Sequence, residues 1–365
     1  MLLWTQRLLR WYAAHRRDLP WRGHADPYAV WISEIMLQQT RVDTVCPYFE
    51  RFLARFPTVA TLASAPMPEL LKLWEGLGYY ARARNLQAAA RQIVAHHHGH
   101  LPRTATALAA LPGIGPYTAA AIASICFAER VPVVDGNVAR VFSRYLGWSD
   151  DFRKLPARRK LADWLQPQMA RVRVPGDCNQ AMMELGALLC LPRTPQCARC
   201  PLAATCHACR SNTQAAFPMR PARPAIPTRH AVAVVIQRRG HVLLVQRRER
   251  GLLGGFWELP GGDVAHQPTT RMAAAVVRRQ TDLTISRISA HGELTHIFSH
   301  FRLHLALYTC QGARGRLRTG AAIRTQWASA VDLASLPVST AHRRALQAAG
   351  PAAHRHPITG ASAIH

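Results

Sequence analysis

Two domains of different class are predicted: an all-α domain to about residue 210 and an α+β domain after it. Three observations carry this. Up to about residue 210, apolar positions recur at helical spacing between short Pro/Gly breaks. From 211 to 228 the chain runs through Ala-Ala-Phe-Pro-Met-Arg-Pro-Ala-Arg-Pro-Ala-Ile-Pro, which disfavours helix and sheet alike and reads as an extended linker. Beyond it the apolar residues fall into strand-like runs. At 365 residues the chain is long enough for each part to bury its own core.

The first element, residues 2–17, is amphipathic and basic, as a transit peptide would be. It runs into Asp18-Leu-Pro-Trp21 without a small-residue cleavage site, so it is read as an ordinary helix. Helical patterns follow at 27–45, 50–56, 67–74, 82–97, 104–111, 117–126 and 138–146. Strand-like runs stand at 230–237, 241–246 and 301–308, with a helical stretch near 272–280. Residues 229–350 form the second domain, and 351–365 are expected to be a disordered tail.

The formal net charge of +26 points to a polyanionic partner, most simply nucleic acid. All but three of the 46 basic residues are arginine and alanine is abundant, so compositional bias explains the charge alone equally well. There is no apolar run long enough to read as a membrane span, and no membrane partner is expected. A cytoplasmic, nucleoid-associated bacterial setting is expected.

The densest signal is Leu111-Pro-Gly-Ile-Gly-Pro-Tyr117, followed by Val131-Pro-Val-Val-Asp135-Gly-Asn-Val-Ala-Arg140. Gly113 and Gly115 permit positive φ and close backbone approach, and Pro116 suits a first helical turn. Backbone N–H groups at that helix start would grip a DNA phosphate without reading a base. Turn, helix and Val-Val-Asp-Gly-Asn in this order resemble the helix-hairpin-helix plus Gly/Pro-Asp superfamily of base-excision DNA glycosylases. That resemblance makes Asp135 catalytic. It also implies a helical barrel over 22–135, and a subdomain from 1–21 and 136–210.

Four of the nine cysteines, Cys190, Cys197, Cys200 and Cys206, fall within seventeen residues, as in a metal or cluster site. Four thiolates also suit a structural zinc, and a disulfide framework is disfavoured without a secretion signal. The spacing is similar to the [4Fe-4S] site of the glycosylases related to endonuclease III. The resemblance implies a structural cluster and a Cys190–Cys197 loop that presents Arg193 to the DNA backbone.

Where bifunctional lyases of the superfamily carry Lys, two residues after the second hairpin Gly, this chain has Tyr117. No lysine lies near, so β-elimination by an amine has no agent. Glu34 shares a helix face with Gln38 amid Trp31, Ile32, Ile35 and Leu37. Desolvation there would favour the neutral carboxyl of a general acid, whereas a surface Glu paired with Arg41 fits the same pattern.

Trp31-Ile-Ser-Glu-Ile-Met-Leu-Gln-Gln-Thr40, Gly76-Leu-Gly-Tyr-Tyr80 and Asn179-Gln-Ala-Met-Met-Glu-Leu-Gly186 resemble the adenine DNA glycosylases of the MutY type. The resemblance implies that Glu34 protonates N7 of a flipped-out adenine. Asp135, partnered by Asn137, would stabilise the oxocarbenium-like sugar, with Tyr117 supporting both carboxyl groups. Arg17, Trp21 and Glu184 would line the adenine pocket. Each has a plainer reading, as phosphate contact, core residue and cap near the cluster. Gln38, Gln39 and Tyr79 stand where the family inserts side chains into the base stack.

Gly251-Leu-Leu-Gly-Gly-Phe-Trp-Glu-Leu-Pro-Gly-Gly262 resembles the opening of a Nudix fold. The following helix, residues 270–280, carries no acid to hold Mg²⁺, so nucleotide hydrolysis is rejected. The family uses this domain to recognise 8-oxoguanine, through a loop that stands here as Phe298-Ser299-His300. The expectation is therefore a monomeric, monofunctional adenine glycosylase acting on double-stranded DNA with A:8-oxoguanine or A:G mispairs. The alternatives are a thymine or oxidised-pyrimidine glycosylase of the same superfamily and a catalytically silent iron–sulfur protein that binds DNA or senses redox state.

Overall fold

The computed structural model describes residues 3–23, 26–219, 225–248, 251, 253–298, 300–317 and 324–349; the expected tail at 351–365 lies outside them. The helices, in chain order, are α1 (Leu3–His15), α2 (Pro27–Leu37), α3 (Val42–Arg55), α4 (Val59–Ser64), α5 (Met67–Leu73), α6 (Ala81–His96), α7 (Ala105–Ala109), α8 (Pro116–Phe127), α9 (Gly136–Leu146), α10 (Leu155–Met169), α11 (Pro175–Leu188), α12 (His207–Arg210), α13 (Thr270–Thr281), α14 (Ala330–Ser335) and α15 (Thr340–Ala348). The chain forms two compact units. One comprises the described residues of 1–65 with 81–223, the other the described residues of 66–80 with 224–365.

The first unit is helical. Leu8, Phe142, Leu161, Leu165 and Met182 meet in one core drawn from α1, α9, α10 and α11. Helix α2 is buried from Tyr28 to Met36, capped at its start by Asp26, whose side chain accepts the Tyr28 N–H at 2.9 Å. The single helix expected over 27–45 is in fact two. Gln39 adopts φ +59°, and the Arg82 guanidinium takes the last carbonyls of α2, Ile35, Met36 and Gln38, at 2.8–2.9 Å. No Gly or Pro marks this break; a buried arginine from another helix makes it.

Helices α7 and α8 form the hairpin. Gly113 has φ +76°, and a Cβ there would lie 2.6 Å from the Cβ of Asn85. Gly115, where the sequence permits positive φ, is instead extended at φ −83° and serves as the N-cap of α8, with Pro116 in the first turn. Residues 211–219, expected to be extended linker, fold onto α9: Arg144 Nε donates to Gln214 O at 3.0 Å and Phe217 O at 3.1 Å.

The second unit is built on a seven-stranded mixed sheet: β1 (Thr228–Arg238), β2 (His241–Gln246), β3 (Trp257–Glu258), β4 (Gly261–Val264), β5 (Thr284–Ile297), β6 (Arg302–Arg314) and β7 (Arg324–Ala328). Strand β1 runs parallel to β6 and antiparallel to β4, and β5 pairs antiparallel with β6. Its alternate residues face two cores. Val232, Val234 and Ile236 pack with α13, and Ala231, Ala233 and Val235 pack with α14 and α15. Both faces being covered explains why β1 reads as a continuous apolar run.

Residues 66–80, whose helical pattern belongs in sequence to the first half, pack within this unit. The Arg343 guanidinium grips the Glu75 carboxylate, Lys72 Nζ donates to it at 3.0 Å, and the Tyr80 and Phe256 rings are 4.2 Å apart.

Candidate active site

Glu34 projects from buried α2 and is 6 % exposed. The Tyr117 hydroxyl, from the first turn of α8, donates to its Oε2 at 2.8 Å and contacts Met183 Sδ at 3.5 Å. Burial pushes the Glu34 carboxyl up to about 7; the Tyr117 bond pulls the other way, and the charge of Asp135 adds to the rise. The same burial raises the Tyr117 hydroxyl. Glu34 is thus a carboxyl held partly protonated near neutral pH, not a surface partner of Arg41.

Asp135 caps α9, its Oδ1 accepting the Val138 N–H at 2.6 Å and its Oδ2 the Asn137 amide at 3.0 Å. Burial raises this carboxyl too, while these bonds and the Arg140 charge favour the ionised form. Arg140 donates to Asn137 Oδ1 at 2.8 Å, Gly186 O at 2.8 Å and Cys190 O at 2.7 Å. One guanidinium therefore links the partner of Asp135 to the first cysteine of the cluster motif. Gly186 permits the approach, since a Cβ there would stand 2.6 Å from that of Asn137.

A groove of about 580 Å³ is lined by Gln38, Gln39, Gly115, Tyr117, Asp135 and, on its α10 side, Arg158 and Arg159. Gln38 is anchored through Nε2 to Thr118 Oγ1 at 3.2 Å; Gln39 is exposed. Sequence reasoning does not single out these two arginines, although Leu155-Pro-Ala-Arg-Arg-Lys160 places a basic pair near the start of a helix. Arg140 and Arg144 were missed as well; their spacing of four within an otherwise apolar helix was the available signal.

Glu184 is buried and clamped. Arg17 Nη2 and Arg22 Nη2 each lie 2.8 Å from its Oε2, and the Arg17 backbone N–H donates to Oε1 at 3.0 Å. Burial alone would raise this carboxyl, yet the two guanidinium groups outweigh it and hold the value at about 2. Trp21 is buried, its ring edge-on to Phe49 at 5.5 Å.

Cys190, Cys197, Cys200 and Cys206 line one cavity of about 30 Å³, together with Cys209 and Gln214. Arg144 Nη1 donates to Cys190 Sγ at 3.4 Å and Gln214 Nε2 to Cys197 Sγ at 3.7 Å. Burial pushes the Cys200 thiol up to about 12 and raises that of Cys206. Among the described residues, no three His, Cys, Asp or Glu side chains are grouped so that they could hold a metal ion. In kind, the residues suit a thiolate-held cluster: four cysteines line one cavity, and N–H donors reach the sulfurs of two of them. Arg193 is exposed on the Cys190–Cys197 loop, which Arg144 pins through Leu191 O at 2.7 Å and Pro192 O at 3.0 Å.

In the second unit, Tyr79 has φ +48° and is 44 % exposed. Residues 298–301 join β5 to β6. Phe298 stacks on Phe301 at 4.5 Å, its N–H donating to Phe301 O at 2.9 Å, and His300 is exposed; Ser299 lies outside the described residues.

Hairpin, buried acid and capping aspartate on one helical unit, with a separate mixed sheet, define a base-excision DNA repair protein joined to a Nudix-like domain. Residues 32–167 match the HhH-GPD superfamily base excision DNA repair protein, and residues 231–348 match the NUDIX domain. The chain belongs to the adenine DNA glycosylases, DNA N-glycosylases of base excision repair. It is 36 % identical to the adenine DNA glycosylase of Mus musculus, over 92 % of this chain and 76 % of the relative. With that of Homo sapiens the identity is 37 %, over 82 % of this chain and 65 % of the relative. The structure of a thermostable thymine-DNA glycosylase superposes with a TM-score of 0.53 at 29 % identity, covering 57 % of this chain and 96 % of that one.

Proposed function

We propose that this enzyme hydrolyses the N-glycosidic bond of adenine mispaired with 8-oxoguanine or guanine in duplex DNA, and that it is monofunctional. The observation that carries this reading is the Tyr117–Glu34 pair facing Asp135. One carboxyl is pushed up to about 7 by burial, and the other accepts two hydrogen bonds that favour its charge.

Glu34 gives its proton to N7 of the flipped adenine, which makes the base a leaving group. The C1′–N9 bond then breaks, and the ionised Asp135 faces the cationic sugar until water adds. Tyr117 orients Glu34, and Asn137 orients Asp135. Where a lyase needs an amine, this chain places a phenol whose burial holds it neutral.

Duplex DNA is held at the hairpin turn of Gly113 and Gly115 and by the exposed Arg193. Gln38, Gln39 and Tyr79 fill the stack left by the flipped base. Arg17, Trp21 and Glu184 shape the adenine pocket, Glu184 by fixing Arg17 and Arg22 rather than through an oxygen of its own. Phe298, Ser299 and His300 read 8-oxoguanine, with Phe298 as the stacked support.

Cys190, Cys197, Cys200 and Cys206 would hold a [4Fe-4S] cluster, whose role is to fold the loop carrying Arg193 and to brace Arg140 through Cys190 O. Single-turnover adenine release from A:8-oxoguanine and A:G duplexes, with A:T and G:T duplexes as controls, tests the reading. Release from A:T at the mispair rate would overturn it.

A further inference from the structure

The cluster cavity is faced by five cysteines, not four. Cys209, on the short helix α12, lines the same cavity as the motif cysteines, with Cys197 as its electrostatic neighbour. It lies three residues after Cys206, the N-cap of that helix, and both residues line the cavity. Cys197 stands on a one-turn 3₁₀ helix, Cys197–Arg199, with no side-chain cap at its start. Its sulfur accepts a 3.7 Å bond from Gln214 Nε2, whereas the Arg144 guanidinium donates to Cys190 Sγ at 3.4 Å and pins the chain after it through Leu191 O and Pro192 O. Cys197 therefore stands on a short uncapped turn and shares its cavity with a fifth cysteine.

We propose that Cys209 is a reserve ligand of the cluster, able to take the iron of Cys197. The proposal rests on the cluster reading above. The exchange is redox-neutral: the Cys209 thiol releases its proton to solvent as its sulfur binds iron, and the Cys197 sulfur takes up a proton as it leaves. No oxidant is required, and both sulfurs belong to residues that line the same cavity. The device would let the cluster survive chemical loss of one ligand, such as alkylation or oxidation of the half-buried Cys197.

The test uses the full-length protein and reads iron and acid-labile sulfide per chain, the visible absorption band, and alkylation of native protein followed by peptide mass spectrometry. Wild type should carry the cluster, with Cys209 alkylated and Cys197 protected. Cys209→Ala should keep its iron. Cys197→Ala should fold and keep more than about half of the wild-type iron, with Cys209 now protected from alkylation, while the Cys197→Ala/Cys209→Ala double variant should fall below about a tenth. Cys190→Ala, which has no such neighbour, should lose its iron as the double variant does.

Loss of iron or of soluble protein in Cys197→Ala to the level of the double variant, with Cys209→Ala normal, would overturn the reserve role and leave the cluster standing. Stoichiometric zinc, or no metal, in wild type would overturn the cluster reading and this proposal with it.

Discussion

The Tyr117 hydroxyl on α8 donates a 2.8 Å hydrogen bond to Oε2 of Glu34 on α2, a carboxyl that burial has already pushed up to about 7. The bond opposes the burial, because it stabilises the ionised form. Adenine release should therefore fall as pH rises through about 7, where the proton donor is lost. Tyr117→Phe removes the opposing bond, so the fall should move to higher pH while the maximal rate drops. Single-turnover pH profiles of both proteins check this, and an unshifted fall would remove Tyr117 from control of Glu34.

The same shift has a cost in stability. The folded carboxyl binds a proton that the unfolded one, near the ordinary value of 4.5, does not; the contribution is neutral below 4.5 and increasingly unfavourable as pH rises through about 7. Glu34→Gln should stabilise the protein at pH 8 by on the order of 2 kcal/mol, and hardly at all near pH 4.5. Urea denaturation at the two pH values measures it. Destabilisation at pH 8 would mean that the ionised carboxylate is a structural partner.

Much of this site was legible in the residues. Gly113, the Pro116 start of α8, Asp135 two residues before Asn137, and Glu34 amid apolar neighbours stand as the local patterns require. What was not legible depends on partners distant in sequence. The break after Leu37 is made by Arg82, the clamp on Glu184 includes Arg22, and the tie from Asn137 to Cys190 runs through Arg140. Residues 67–74 look like one more helix of the first half, and contacts such as the Glu75–Arg343 ion pair and the Tyr80–Phe256 ring contact show where they pack. Gly115 is extended because α8 needs an N-cap there, not a left-handed residue.

Arg140 provides a test of the link between chemistry and cluster loop. Its removal leaves Asn137 Oδ1 and Cys190 O without their charged donor. Arg140→Met should slow adenine release by at least about tenfold, on the basis of about 1.5–3 kcal/mol for a charged hydrogen bond, and should lower iron retention. Normal iron content with a normal rate would show the link to be idle.

An amine at position 117 should restore the chemistry that this chain lacks. Wild type should leave abasic sites intact until base or heat is applied, and Tyr117→Lys should nick some strands, because a Schiff base with the sugar then becomes available. Borohydride trapping measures both. Efficient trapping of wild type would contradict the monofunctional reading.

Adenine carries no lesion, so discrimination must come from the opposite base. Changing Phe298, Ser299 and His300 to Ala should lower the preference for A:8-oxoguanine over A:G by about 1–3 kcal/mol, with a smaller effect on A:G itself. Equal losses on both duplexes would reduce the loop to general support.

In the proposed reaction Glu34 supplies the proton that releases adenine. The most direct measurement compares Glu34→Gln with wild type on an A:8-oxoguanine duplex, by single-turnover base release and by equilibrium binding of the same duplex. Glutamine keeps the size and removes the acid, so adenine release should become undetectable while affinity stays within a few-fold of wild type. A Glu34→Gln protein that released adenine at a near-wild-type rate would contradict the account.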